Sequence, residues 1–100
     1  MSKRRVVITG LGAVTPYGVG VNKFWESLKE GKSGISTSES IDIDKHVVKI
    51  SGEVKNFNPE EYIEPKKAKK MDRFIQFAMV AADEAIEDAK IENLDGIDPY

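Results

Sequence analysis

The sequence predicts an α/β fold, on three observations. A short run of β-formers, Arg4 to Thr9 (RRVVIT), leads through a glycine-rich loop into an amphipathic segment, NKFWESLKE. An alternating segment follows between Val48 and Lys55. A long helical pattern, PKKAKKMDRFIQFAMVAADEAIEDAK, then runs from Pro65 to Lys90. Strand, loop and helix in that order are the opening of an α/β unit.

The first strand carries three successive apolar residues, Val6, Val7 and Ile8, in place of strict alternation. That pattern suits a strand covered on both faces by other layers. The loop GLGAVTPYGVG offers Gly10 and Gly12 as G-x-G directly after the strand, the start of a dinucleotide fingerprint. The third glycine position is Thr15, followed by Pro16, and the next helix starts too late for its N-terminus to cradle a pyrophosphate. Backbone freedom is the better reason for these glycines. Asn22 reads as the N-cap of the helix, Gly31 as its C-terminal stop, and Phe24, Trp25 and Leu28 as its apolar stripe.

Lys32 to Asp44 is polar and reads as turns. Asp42 and Asp44 form a D-x-D, but no further calcium ligands or glycine follow at the required positions. His46, the one histidine, stands alone and reads as a surface or satisfied polar residue. From Val48 to Lys55, Val48, Ile50, Gly52 and Val54 alternate with Lys49, Ser51, Glu53 and Lys55, which predicts a half-exposed strand. Asn58-Pro59-Glu60-Glu61 has the order of an N-cap, a first-position proline and first-turn acids.

The segment from Pro65 is expected to form one continuous helix, with Met71, Phe74, Ile75, Ala78, Ala82, Ala85, Ile86 and Ala89 on its buried face. Its charges run against the helix dipole. Lys66, Lys67, Lys69 and Lys70 crowd the first turns, while Asp83, Glu84, Glu87 and Asp88 sit near the end. Four lysines beside free backbone N–H groups suit a phosphate or an acidic partner. They also suit a merely solubilising turn.

Composition narrows the function classes. The 100 residues allow one domain at most, and the net charge of −2 argues against general nucleic-acid binding. There is no cysteine, hence no disulfide, thiolate metal site or cysteine nucleophile within the chain. No segment has the length of a membrane span or a signal-peptide core, so the expected compartment is the cytoplasm. The architecture is also expected to be incomplete. A strand buried on two faces needs neighbours on both edges, and the sequence offers one candidate. Residues 1–100 then read as the N-terminal portion of a larger protein.

Three blocks, VVITGLGAVTPYGVGVNKFWESLKEGKSGI, VKNFNPEEYI and KKMDRFIQFAMVAADEAIEDA, resemble in order the N-terminus of bacterial β-ketoacyl-[acyl-carrier-protein] synthases, and most closely their synthase II branch. The resemblance implies a thiolase-like fold, αβαβα in the full protein, of which this chain is the start of the N-terminal half, and a homodimer. It implies decarboxylative Claisen condensation of an acyl-enzyme with malonyl-carrier protein in fatty-acid synthesis. The family's catalytic cysteine and two histidines match no residue here, so catalytic residues are none, metal is none, and the chain alone should be inactive.

One site does carry over. Lys66, Lys69 and Lys70 match basic positions of the family's docking patch for acyl carrier protein, with Lys67 as an additional charge. The resemblance implies no cofactor on the protein itself, because phosphopantetheine is carried by the partner. It places Phe74, Ile75, Ala78 and Ala82 in the core of the full protein's first half, where Phe74→Ala would cost about 3–5 kcal/mol. Two other readings stay open: a non-catalytic fragment that binds acyl carrier protein, and a polyketide ketosynthase or chain-length-factor relative.

Overall fold

The computed structural model describes residues 3–93, 95 and 96. Among these residues four short strands and three helices follow one another, with 3₁₀ turns at Ile43–Lys45 and Pro59–Glu61. Strands β1 (Val14–Thr15) and β2 (Gly18–Val19) pair antiparallel inside the glycine-rich loop, and β3 (Ile35–Thr37) pairs antiparallel with β4 (Ile50–Gly52). Helix α1 spans Val21–Glu30, α2 Pro65–Ala68 and α3 Arg73–Asp88.

Local signals are honoured where the chain can satisfy them by itself. Gly31 closes α1 in the left-handed region, φ 73°, with its N–H donating to the Leu28 carbonyl and the Lys32 N–H to that of Ser27. The Asn58 side chain accepts from the Glu60 N–H at 3.2 Å, with Pro59 in the first position. The alternating strand shrinks to Ile50–Gly52. The polar run before it is not all turn, because β3 lies within it and reaches strand geometry only by pairing with β4.

Other expectations are corrected. Arg4–Thr9 joins no sheet, and Val6 and Ile8 stand 91% and 82% exposed. A strand with apolar residues on both faces needs neighbours that the described residues do not supply. The N-cap of helix α1 lies two residues earlier than read: it is Gly20 in place of Asn22, and it makes no side-chain cap bond. The expected continuous helix breaks, because Asp72 is extended (φ −65°, ψ 158°) and separates α2 from α3.

The missing cap of α1 is supplied from α3. One Glu84 carboxylate oxygen accepts the Val21 N–H at 3.0 Å, and the other accepts the Ala13 N–H at 2.9 Å. One turn further on, Asp88 accepts the Leu11 N–H at 3.0 Å. A carboxylate at a helix N-terminus satisfies a donor without an intrahelical partner and lies at the positive end of the helix dipole. Acids that oppose the dipole of α3 thus complement that of α1 and the loop before it.

The glycines of the loop act mainly by size. A Cβ on Gly10 would fall 2.3 Å from the Ala85 carbonyl oxygen, and one on Gly12 would fall 1.8 Å from that of Ala81. The loop therefore lies directly on the α3 backbone beside Ala81, Ala85 and Ala89. Close approach, rather than the expected backbone freedom, explains Gly10 and Gly12. Freedom does explain Gly18 and Gly20, at φ 125° and 113°.

The core is small. Ile63, Ala68 and Val80 are the buried apolar residues among those described, with Val14, Val19, Phe57 and Met71 packed around them. The side of α3 that this chain covers runs through Phe77, Val80, Ala81 and Ala85. Of the predicted face, Met71, Ala85 and Ala89 are half-buried, whereas Phe74, Ile75, Ala78, Ala82 and Ile86 are exposed, Phe74 by 69%. Helix α3 is apolar on two sides, and only one of them is covered.

Candidate functional site

The lysine segment is built on a short structural ladder. The 3₁₀ turn at Pro59–Glu61 delivers Ile63 into the core, and Pro65 then opens α2. The Glu64 carbonyl accepts the N–H groups of both Lys67 and Ala68 at 2.9 Å. Lys69 donates to Pro65 at 3.1 Å and Lys70 to Lys67 at 3.1 Å. Ala68 is buried while Lys66, Lys67, Lys69 and Lys70 are all exposed. None of the four lysine side chains forms an ion pair among the described residues.

This geometry changes the electrostatic account. Helix α2 has four residues, and the N–H groups of Lys67, Lys69 and Lys70 already have acceptors. No array of free donors stands at the head of a long helix to receive a phosphate. Lys66 and Lys67 lie in the last turn of α2, where cations suit the dipole, and Lys69 and Lys70 lie in the turn before α3. The site is electropositive through its side chains alone, which suits a charged protein surface better than a single anion.

What sets the platform in place is the run Met71-Asp72-Arg73 with Gln76 and Phe77. Met71 packs on the core, and the Asp72 carbonyl accepts the N–H groups of Ile75 and Gln76 to start α3. The Arg73 guanidinium donates to the Val54 carbonyl at 2.8 Å and lies 5.5 Å from the Phe57 ring centre and 5.1 Å from that of Phe77. Phe57 in turn meets Phe77 edge-on at 5.0 Å and stacks on Tyr62 at 5.9 Å. Gln76 donates from Nε2 to the Ala68 carbonyl at 3.1 Å.

Sequence reading found the four lysines and missed Arg73, Gln76 and Glu84. Gln76 bonds eight residues back, a distance with no meaning until the break at Asp72 is known. Glu84 is an acid set between Ala81 and Ala85 on the covered side of α3, a sign that has meaning only once that side is known. His46 is exposed and distant in sequence from the lysines. No group of three or more His, Cys, Asp or Glu side chains placed to hold a metal ion occurs among the described residues. No helix there is long and apolar enough to cross a membrane.

Comparison with known proteins adds independent findings. The family of the beta-ketoacyl synthase N-terminal domain matches residues 3–98. The chain is 47% identical over 89 residues to a 3-oxoacyl-[acyl-carrier-protein] synthase 2 of Staphylococcus aureus, covering 89% of this chain and 22% of that protein. It is 43% identical over 91 residues to the synthase of the same name from Synechocystis sp., covering 91% and 22%. Among solved structures, the ishigamide ketosynthase/chain length factor superposes with a TM-score of 0.82 at 32% identity, covering 94% of this chain and 23% of that one. The chain thus spans between a fifth and a quarter of the length of these relatives.

Proposed function

The chain belongs to the beta-ketoacyl synthase family through its N-terminal domain, and from that premise we propose that it forms the opening part of a 3-oxoacyl-[acyl-carrier-protein] synthase 2. In this reading residues 1–100 are one portion of a thiolase-like domain, and the domain is completed by further chain. The whole enzyme elongates acyl groups by decarboxylative condensation with malonyl-carrier protein, as a cytoplasmic homodimer. The chain contributes no acyl-carrying thiol, since it has no cysteine, and by itself it is inactive. The phosphopantetheine arm belongs to the partner.

The segment's own role is to dock acyl carrier protein on Lys66, Lys67, Lys69 and Lys70. The observation that carries this is the exposure of all four side chains on a braced turn, without an ion pair among the described residues. A cluster of like charges left open on a fixed support speeds encounter with an oppositely charged partner and sets its register. Charge reversal at two positions (Lys69→Glu with Lys70→Glu), made in the intact gene product, tests it. Removing two attractions and adding two repulsions should raise the Kd for acyl carrier protein roughly tenfold at low salt. High salt should narrow the difference, and the melting temperature should stay nearly constant. Unchanged affinity would exclude the lysines from docking.

A second reading is favoured by the likeness to a ketosynthase/chain length factor. Covalent acylation of the intact gene product by acyl-carrier protein separates a condensing enzyme from a chain-length-factor relative, which without the cysteine forms no acyl-enzyme.

A further inference from the structure

We infer that Gln76 is a positioning residue for the lysine platform, an inference that rests on the docking role proposed above. In an unbroken helix the Ala68 carbonyl would accept the N–H of the residue four positions on, Asp72. Here Asp72 is extended and serves as the N-cap of α3, so that bond is not made. The Ala68 carbonyl instead accepts the Met71 N–H at 3.1 Å and the Gln76 Nε2 at 3.1 Å. The side chain of one helix thereby takes the place of a backbone donor of the other.

The placement gives this bond leverage. Ala68 is the last residue of α2 and is buried, with lysines on both sides of it in sequence. Gln76 lies in the second turn of α3, on the helix that Arg73 anchors to the Val54 carbonyl and to the Phe57 and Phe77 rings. Arg73 fixes where α3 starts, and Gln76 fixes the angle at which α2 leaves it. Four lysines on flexible stems form a surface of defined register only if the backbone beneath them holds one orientation.

Gln76 bears no charge, so its loss should leave electrostatic steering intact and shorten the life of the complex. Gln76→Leu keeps much of the side-chain volume and removes the donor. In the intact gene product, association with acyl carrier protein should keep its rate while dissociation accelerates. The net worth of one neutral hydrogen bond bounds the shift, which places the rise in Kd at roughly two- to tenfold. A merely structural effect would lower the fraction of competent protein and leave the dissociation rate of what binds unaltered. Gln76→Asn, whose amide stops short of Ala68, carries the same expectation should Gln76→Leu fail to fold.

Run beside the double lysine variant, the experiment separates the two ideas. Faster dissociation in the Gln76 variant, with slower association in the lysine variant, supports both. An unchanged Gln76 variant beside a weakened lysine variant overturns the positioning role and leaves docking intact. Unchanged binding in the lysine variant removes the docking site, and this inference with it.

Discussion

Glu53 gathers donors from three directions. Its carboxylate accepts the N–H groups of Glu39 and Ser40 and the hydroxyls of Ser40 and Ser51. The Glu39 N–H, then the Ser40 hydroxyl, contribute most to holding its carboxyl down at about 2, against an ordinary 4.5. A depressed carboxyl stabilises the fold above its unfolded value, and that contribution is lost as pH falls from about 4.5 toward 2. Acid titration followed by circular dichroism should therefore show stability falling across this window, and Glu53→Gln should flatten the fall. The glycines make a second test at the same scale. Gly12→Ala drives a Cβ into the Ala81 carbonyl oxygen and should destabilise by about 1–3 kcal/mol. Gly31→Ala meets no atom within 4 Å, and its cost, about 1 kcal/mol, comes from the left-handed φ alone. Urea unfolding of the two variants measures the difference in size.

At the scale of elements, α3 shows what periodicity can and cannot deliver. The helix was legible, because apolar residues recur at three and four positions from Met71 onward. Which side faces the rest of the chain was not, because Phe74, Ile75, Ala78 and Ala82 are as apolar as Phe77, Val80, Ala81 and Ala85. The choice is made by Phe57 and the glycine loop, contacts remote in sequence. Phe77→Ala should accordingly cost about 2–3 kcal/mol, short of the range for a fully buried ring, whereas Phe74→Ala should cost under about 1 kcal/mol within this chain alone. Denaturant midpoints for the pair decide between the two sides. The break at Asp72 was hidden for the same reason, since the apolar spacing runs through it. Gly31 and Asn58-Pro59 were legible because their caps close within a few residues. Strand β3 was not, because a run as polar as Ser36-Thr37-Ser38 becomes a strand only through β4. Of the site, the four charges could be read directly, while the bond that aims them could not.

The molecule as a whole is open. Its radius of gyration is 17.5 Å, where a self-contained domain of this length has about 13 Å. Its accessible surface is 8566 Å², against roughly 5,700 Å² for a closed protein of its mass. The uncovered side of α3 and the apolar run Val6–Ile8 account for much of the excess character of that surface. This openness supports the reading of the chain as one portion of a thiolase-like domain, and it leaves long-range ties to hold the pieces that are present. Glu84 is the clearest of them, because the N–H it satisfies at Val21 lies 63 residues away. Bringing such distant residues together costs roughly 4 kcal/mol in chain entropy before any contact rewards it. The first turn of α1, with no side-chain cap of its own, therefore has its Val21 N–H satisfied only where α3 is seated against the loop. The order along the chain is thus reversed in dependence: the cap of the earlier helix is supplied by the later one.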